Sequence, residues 1–179
     1  FEGANRMTFL AEALQALYPQ ARFLMVTRHP LDFIRSAQRR SYYTGHRWDL
    51  VRAHPREGTE MAQRWAGLSA VQKISWLWAE TYRISQRFMG ALPSERRMVL
   101  RAEQFFDWDM ALVEDLFRFV CDQPAPGEGI VRGVMDDRLN AQLTGQARTL
   151  EDWSAAERQF FVQEAQGLAE ELGYDVEAR

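Results

Sequence analysis

The feature that most constrains this chain is the run Phe23-Leu24-Met25-Val26-Thr27-Arg28-His29-Pro30-Leu31-Asp32-Phe33-Ile34-Arg35-Ser36. An apolar stretch of strand length ends in an arginine, a proline then opens a helical pattern, and a serine follows about two turns into it. The pattern predicts a strand feeding a helix through a very short turn. In open parallel sheets, ligands bind beyond the carboxyl ends of the strands, where backbone N–H groups and the positive helix end face outward. An anion suits that place. Arg28 offers a planar fork of donors to a phosphate, and Ser36 adds a hydroxyl from the helix. A strand-end arginine is also what a solvated or salt-bridged surface residue looks like, so the stretch alone leaves both readings open.

The remaining bounds are broad. A chain of 179 residues, nearly half of them apolar, fits one globular domain with a substantial core. A net charge of −3 gives no reason to expect nucleic acid or an anionic membrane surface as partner. The single cysteine, Cys121, excludes an internal disulfide framework and a cysteine-based zinc cluster. No apolar run approaches membrane-spanning length and no signal peptide is visible, so a cytoplasmic setting is expected.

Arg-x-Pro-x-Asp with a serine eight positions after the arginine, behind an apolar strand, resembles the 3′-phosphate-binding segment of sulfotransferases that use 3′-phosphoadenosine 5′-phosphosulfate (PAPS). The resemblance implies that Arg28 and Ser36 hold the 3′-phosphate of that co-substrate, with no metal. It also implies an α/β chain of the P-loop-NTPase-like sulfotransferase fold, helix-rich here, with a short parallel sheet flanked by helices. The family carries an N-terminal strand and a loop that binds the 5′-phosphosulfate. Neither a Gly-x-x-x-x-Gly-Lys-Ser/Thr motif nor the family's looser Gly/Ser/Thr-rich loop occurs in these residues. The resemblance therefore covers the C-terminal two-thirds of such a domain, and residues 1–179 are expected to form a single domain without its N-terminal strand and loop.

Asn5 to Leu17 reads as an amphipathic helix with Met7, Leu10, Leu14 and Leu17 on one face. Ahead of it, Phe1-Glu2-Gly3-Ala4-Asn5 resembles a variant of the Glu-Lys-Ser/Thr-Pro/Ala stretch of several carbohydrate and protein sulfotransferases, with Gly3 in place of the lysine. Glu2 is thus a candidate base for the acceptor proton. It is equally placed as a terminal residue near a helix start that favours negative charge.

The helix opened by Pro30 is expected to continue through Arg39 and Arg40 until Tyr43-Thr44-Gly45, and from there the sequence loses regular periodicity. Residues 43–71, interrupted by Gly45, Pro55, Gly58 and Gly67, are expected to form an acceptor-binding insertion. Its aromatic residues, Tyr42, Tyr43, Trp48 and Trp65 among them, either line a pocket for a small-molecule or glycan acceptor or roof the core. His46 and His54 are alternative proton acceptors there.

Ser69 to Leu92 is the longest helical pattern, with Ile74, Leu77, Trp78, Thr81, Ser85, Phe88 and Leu92 on the expected buried face and Trp76 and Tyr82 off it. A second buried strand is expected over Arg97–Glu103. The family ends this strand in an Arg-Tyr-Glu-Asp-like segment; Ala102 stands where its tyrosine would be, which leaves Phe105 or Phe106 to stack on adenine. Asp107 or Asp109 can cap a helix whose face runs Val113, Leu116, Phe117, Val120, and Pro124–Gly127 closes it. Gly129 to Leu150 reads as a polar loop. The family's C-terminal Arg-Lys-Gly or Lys-Gly-Arg phosphate grip is missing, and Arg148 is the nearest substitute, ahead of Arg132 and Arg138. Ser154-Ala155-Ala156-Glu157 is a capping box for a last helix buried through Phe160, Phe161, Ala165, Leu168 and Leu172, ending at Gly173. Trp153 before that helix and Leu172-Gly173-Tyr174 after it resemble the family's ending.

The resemblance implies sulfuryl transfer from PAPS to a hydroxyl or amine. The alternatives are a kinase of the P-loop superfamily, which would need a Walker lysine upstream, and a non-catalytic helical interaction domain.

Overall fold

The computed structural model describes residues 5–106, 109–136 and 147–176. It is a helix-rich α/β chain with a two-stranded parallel sheet. Its residues divide into two compact units, Phe1–Arg28 with Ile84–Ala141 and His29–Arg83 with Gln142–Arg179.

In the first unit, β1 (Phe23–Thr27) pairs in parallel with β2 (Arg97–Arg101), in register from Phe23 with Arg97 to Thr27 with Arg101. Met25, Thr27 and Leu100 are buried, but Val26 and Val99 are 48% and 53% exposed. The second strand is therefore not buried throughout as expected: Val99 is exposed where its partner Met25 is buried, and Leu100 is buried where its partner Val26 is exposed. It is also shorter: Ala102 and Glu103 belong to helix α5 (Ala102–Phe106). Arginines tie the unit together. Arg22 donates to the Phe119 carbonyl and to Asp122, Arg96 to the Ala21 carbonyl, and Arg97 to the Met89 carbonyl. Phe23 meets Phe88 edge to face at 4.8 Å.

The expected helix over residues 5–17 splits into a 3-10 turn, Asn5–Leu10, and α1 (Ala11–Leu17). Leu10 and Leu17, assigned to its buried face, are exposed. No side chain caps the start of α1, and it buries no residue that would hold a longer helix in place. Helix α6 (Met110–Cys121) begins at Asp109, whose Oδ1 accepts from the Leu112 N–H, and ends at Asp122 in the left-handed region. Of its expected face, Val113 is buried and Val120 exposed. The polar stretch expected to be a loop starts instead as α7 (Glu128–Asp136). Gly129 and Gly133 hide its helical pattern in the sequence, while Val131 is buried and Arg132 pairs with Glu128 one turn away.

The second unit begins with α2 (Pro30–Arg39), where Leu31, Ile34 and Ala37 recur at helical spacing and are buried. Residues 43–71 hold a 3-10 turn at Arg47–Val51, α3 (Glu60–Arg64) and a further turn at Trp65–Gly67. Helix α4 (Ala70–Gly90) contributes its residues up to Arg83 to this unit and the rest to the first. Trp76 and Tyr82, expected off its buried stripe, are buried along with Ile74, Trp78 and Ala79. Its first turns are covered on more than one side, so a single-stripe reading undercounts what they bury.

The capping box forms as read. The Ser154 hydroxyl accepts from the Glu157 N–H at 3.2 Å, and Glu157 Oε2 accepts from the Ser154 N–H at 2.8 Å. Helix α8 (Ala155–Phe161) passes through a π-helical turn, Val162–Gln166, into α9 (Gly167–Glu171). Phe160, Phe161, Ala165 and Leu168 are buried. Gly173, at φ +79°, stops the run, with its N–H bonded to the Glu170 carbonyl and the Tyr174 N–H to that of Ala169. Among the described residues no helix is long and apolar enough to cross a membrane.

Candidate functional site

Beyond the carboxyl end of β1 the chain passes through two residues into α2. Arg28 is exposed, the last residue of the first unit. His29 is buried and serves as the N-cap of α2: its Nδ1 accepts from the Leu31 N–H at 3.3 Å. Pro30 takes the first helical position, where a missing N–H costs nothing. Ser36, two turns into the helix, is half-buried. Asp32 sits in the first turn, 3.6 Å from Arg35.

The segment after α2 is organised by a carboxylate that the sequence did not single out. Asp49 accepts from the N–H groups of Tyr43, Gly45 and His46 at 2.9, 2.9 and 3.0 Å, and from Arg52 Nε at 2.8 Å. Burial alone would raise the Asp49 carboxyl, but the N–H of Tyr43, Arg52 and the N–H of Gly45 together hold it below its ordinary value. The Arg52 guanidinium lies 3.3 Å from the centre of the Tyr42 ring. The Tyr43 hydroxyl donates to the Ala53 carbonyl at 2.6 Å, and burial pushes that phenol up.

These contacts show what the aromatic residues of the segment do. Tyr43, His54 and Trp65 meet edge to face at 5.3–5.9 Å, and Trp65 continues to Trp76 at 5.0 Å. They form a cluster packed on itself. Trp48, Leu50 and Val51, on the 3-10 turn, are the exposed apolar residues of the segment, Leu50 at 86%.

The two histidines differ in what they can accept. His46 caps the 3-10 turn, its Nδ1 taking the Trp48 N–H at 3.3 Å, so in the neutral ring the proton is on Nε2 and the lone pair is committed. His54 Nδ1 lies 2.9 Å from the Arg52 carbonyl, an acceptor only, so its proton is on Nδ1 and its lone pair on Nε2. As a proton acceptor His54 is the better disposed.

Arg148 is engaged within its own chain. Its guanidinium donates to both oxygens of Glu157, at 3.1 and 2.7 Å, and to the Asp152 carbonyl, while its backbone exchanges two hydrogen bonds with Gln38 of α2. Binding a phosphate there would require giving up Glu157. Burial would raise the Glu157 carboxyl, yet donors from Arg148, the Ser154 N–H and Ser69 outweigh it and bring it down to about 2. Arg132 is exposed and paired with Glu128. Glu2, Asp107 and Arg138 lie outside the described residues, as do the side chains of Phe105 and Phe106. A shallow, open depression bordered by Glu170, Gly173, Tyr174, Asp175 and Val176 lies at the end of α9.

Asp49 and His29 were not marked from sequence as organising residues. Each had a positional signal: Asp49 follows His46 at the capping-box interval, and His29 stands directly before the proline that opens a helix.

Comparison with known proteins gave no match: no family model fits the chain, and neither a curated protein of similar sequence nor a solved structure of similar fold was found.

Proposed function

We propose that the chain is part of a PAPS-dependent sulfotransferase of P-loop-NTPase-like fold, working in the cytoplasm on a small-molecule or glycan acceptor. In this reading Arg28 and Ser36 each bond the 3′-phosphate. The acceptor hydroxyl or amine attacks the sulfur as the bond to the 5′-phosphate oxygen breaks. Adenosine 3′,5′-bisphosphate leaves, and the acceptor proton passes to a base. Catalysis of this kind is mainly in-line positioning and neutralisation of charge on the group in flight. Among the sequence candidates for the base, His54 carries its lone pair on Nε2, whereas His46 spends its own on a cap.

The observation that carries the reading is local. Strand β1 ends at Thr27, the arginine of the motif follows it exposed, the proline opens α2, and the serine lies two turns on. That is the order in which a strand-end anion site is built.

Calorimetry with adenosine 3′,5′-bisphosphate tests it. Binding is expected, and Arg28→Ala should weaken it by about 1.5–3 kcal/mol, the worth of hydrogen bonds to a charged group. ATP should not compete. An unchanged dissociation constant in the Arg28 variant would remove that residue from the site, and no binding by the intact protein would remove the reading.

A further inference from the structure

His29 is 3% exposed, and both its ring nitrogens are used. Nδ1 accepts from the Leu31 N–H at 3.3 Å, and Nε2 lies 3.1 Å from the carbonyl of Asp175. An N–H can only donate and a carbonyl can only accept, so the two contacts agree on a single neutral tautomer with its proton on Nε2. The ring also meets Tyr174 edge to face, at 5.4 Å and 83°.

The usual N-caps are serine, threonine, aspartate and asparagine, whose short side chains accept from the first turn and hold any donor of their own within that same short reach. An imidazole accepts on one side and donates on the other. That second function accounts for a histidine at this position.

The partner segment is itself fixed. Tyr174 and Val176 are each 6% exposed, Gly173 turns the chain at φ +79°, and the Tyr174 N–H is bonded to the Ala169 carbonyl at 2.9 Å.

We propose that His29 is a positioning residue that latches the segment Gly173–Val176 to the first turn of α2, and so fixes the helix that presents Ser36. The proposal rests on the sulfotransferase reading for its effect on the nucleotide, but the latch itself does not depend on it.

Asparagine and glutamine at position 29 separate the two functions. His29→Asn keeps an acceptor where Nδ1 stood and loses the donor to Asp175; His29→Gln carries its amide donor out to where Nε2 stood and lacks the short cap. In His29→Asn, amide exchange at Tyr174–Val176 should quicken about tenfold, with the start of α2 still protected, and affinity for adenosine 3′,5′-bisphosphate should fall several-fold, up to about tenfold. In His29→Gln the tail should stay protected and the affinity should stay near that of the unchanged protein. Tyr174→Leu should repeat the Asn variant's effects, and combining the two should add little, since either change alone opens the same latch.

Unchanged tail exchange in His29→Asn, or fully additive losses in the double variant, would overturn the proposal. If His29→Asn does not fold, Tyr174→Leu decides alone, with unchanged exchange at Asp175 and Val176 counting against the latch. If the intact protein binds no bisphosphate, the sulfotransferase reading falls while the exchange measurements still decide the latch.

Discussion

Helix α2 and residues 41–54 follow one another in the chain, and different forces shape them. In α2, Leu31, Ile34 and Ala37 are buried at helical spacing, with Ile34 fully so. In residues 41–54, three residues within five positions, Ser41, Tyr43 and Gly45, take φ of 53°, 56° and 89°, and one carboxylate gathers three backbone N–H groups and an arginine. Burial holds the first; hydrogen bonds to a single side chain hold the second. Hydrophobic periodicity reports only the first kind of force.

The largest test of that contrast is Ile34→Ala. Removing a fully buried branched side chain should cost about 3–4 kcal/mol, as transfer free energy and a cavity add together. Denaturant unfolding would measure it. A loss below about 1 kcal/mol would mean that α2 is not held by its apolar face.

Glu157 carries the carboxylate-hub device into the interior. Its folded-state value, about 2, lies below its ordinary value of 4.5, so its contribution is fully present above pH 4.5 and is lost as pH falls toward 2. The shift corresponds to about 3 kcal/mol of stability. Glu157→Gln should therefore be less stable at neutral pH, and its gap to the unchanged protein should close on acidification. Stability curves at pH 7, 4 and 2.5 would show it, and a gap independent of pH would assign the loss to packing.

Asp49 is next. It is the N3 member of a reciprocal cap with His46, as Glu157 is with Ser154, but at a more exposed place. Asp49→Ala should cost about 2 kcal/mol, less than the sum of its hydrogen bonds because water can replace part of them. Exchange at the Tyr43, Gly45 and His46 amides should rise together. Should they respond separately, the carboxylate is not the organiser of the segment.

The same division explains what could be read from residues alone. Strand β1, α2, the Ser154 box and the buried face of α8 follow from apolar spacing and standard caps. Helix α7 was hidden by its two glycines, and the burial of Tyr82 depends on which other elements cover α4, which no local pattern records. At the site, the order strand, Arg28, Pro30, Ser36 was legible because it is short-range. The Glu157 partner of Arg148 lies nine positions away and the Asp175 partner of His29 lies 146 away, so neither ion pair nor latch leaves a mark at the residue it occupies.

Two glycines give the finest test. Gly45 and Gly67 both have open space where a Cβ would stand, within 4 Å, but only Gly45 has a positive φ, at 89°. A methyl group at either position meets nothing, so any difference between Gly45→Ala and Gly67→Ala comes from the backbone. Gly45→Ala should cost about 1 kcal/mol for holding an L-residue in that region, and it strains the turn whose amides reach Asp49. Gly67→Ala should be neutral or stabilise by about 0.5 kcal/mol, since alanine leaves the unfolded chain fewer conformations to lose. Equal stabilities for the two variants would mean that the turn relaxes to another backbone path, and that Asp49 follows the conformation of residues 41–54 instead of imposing it.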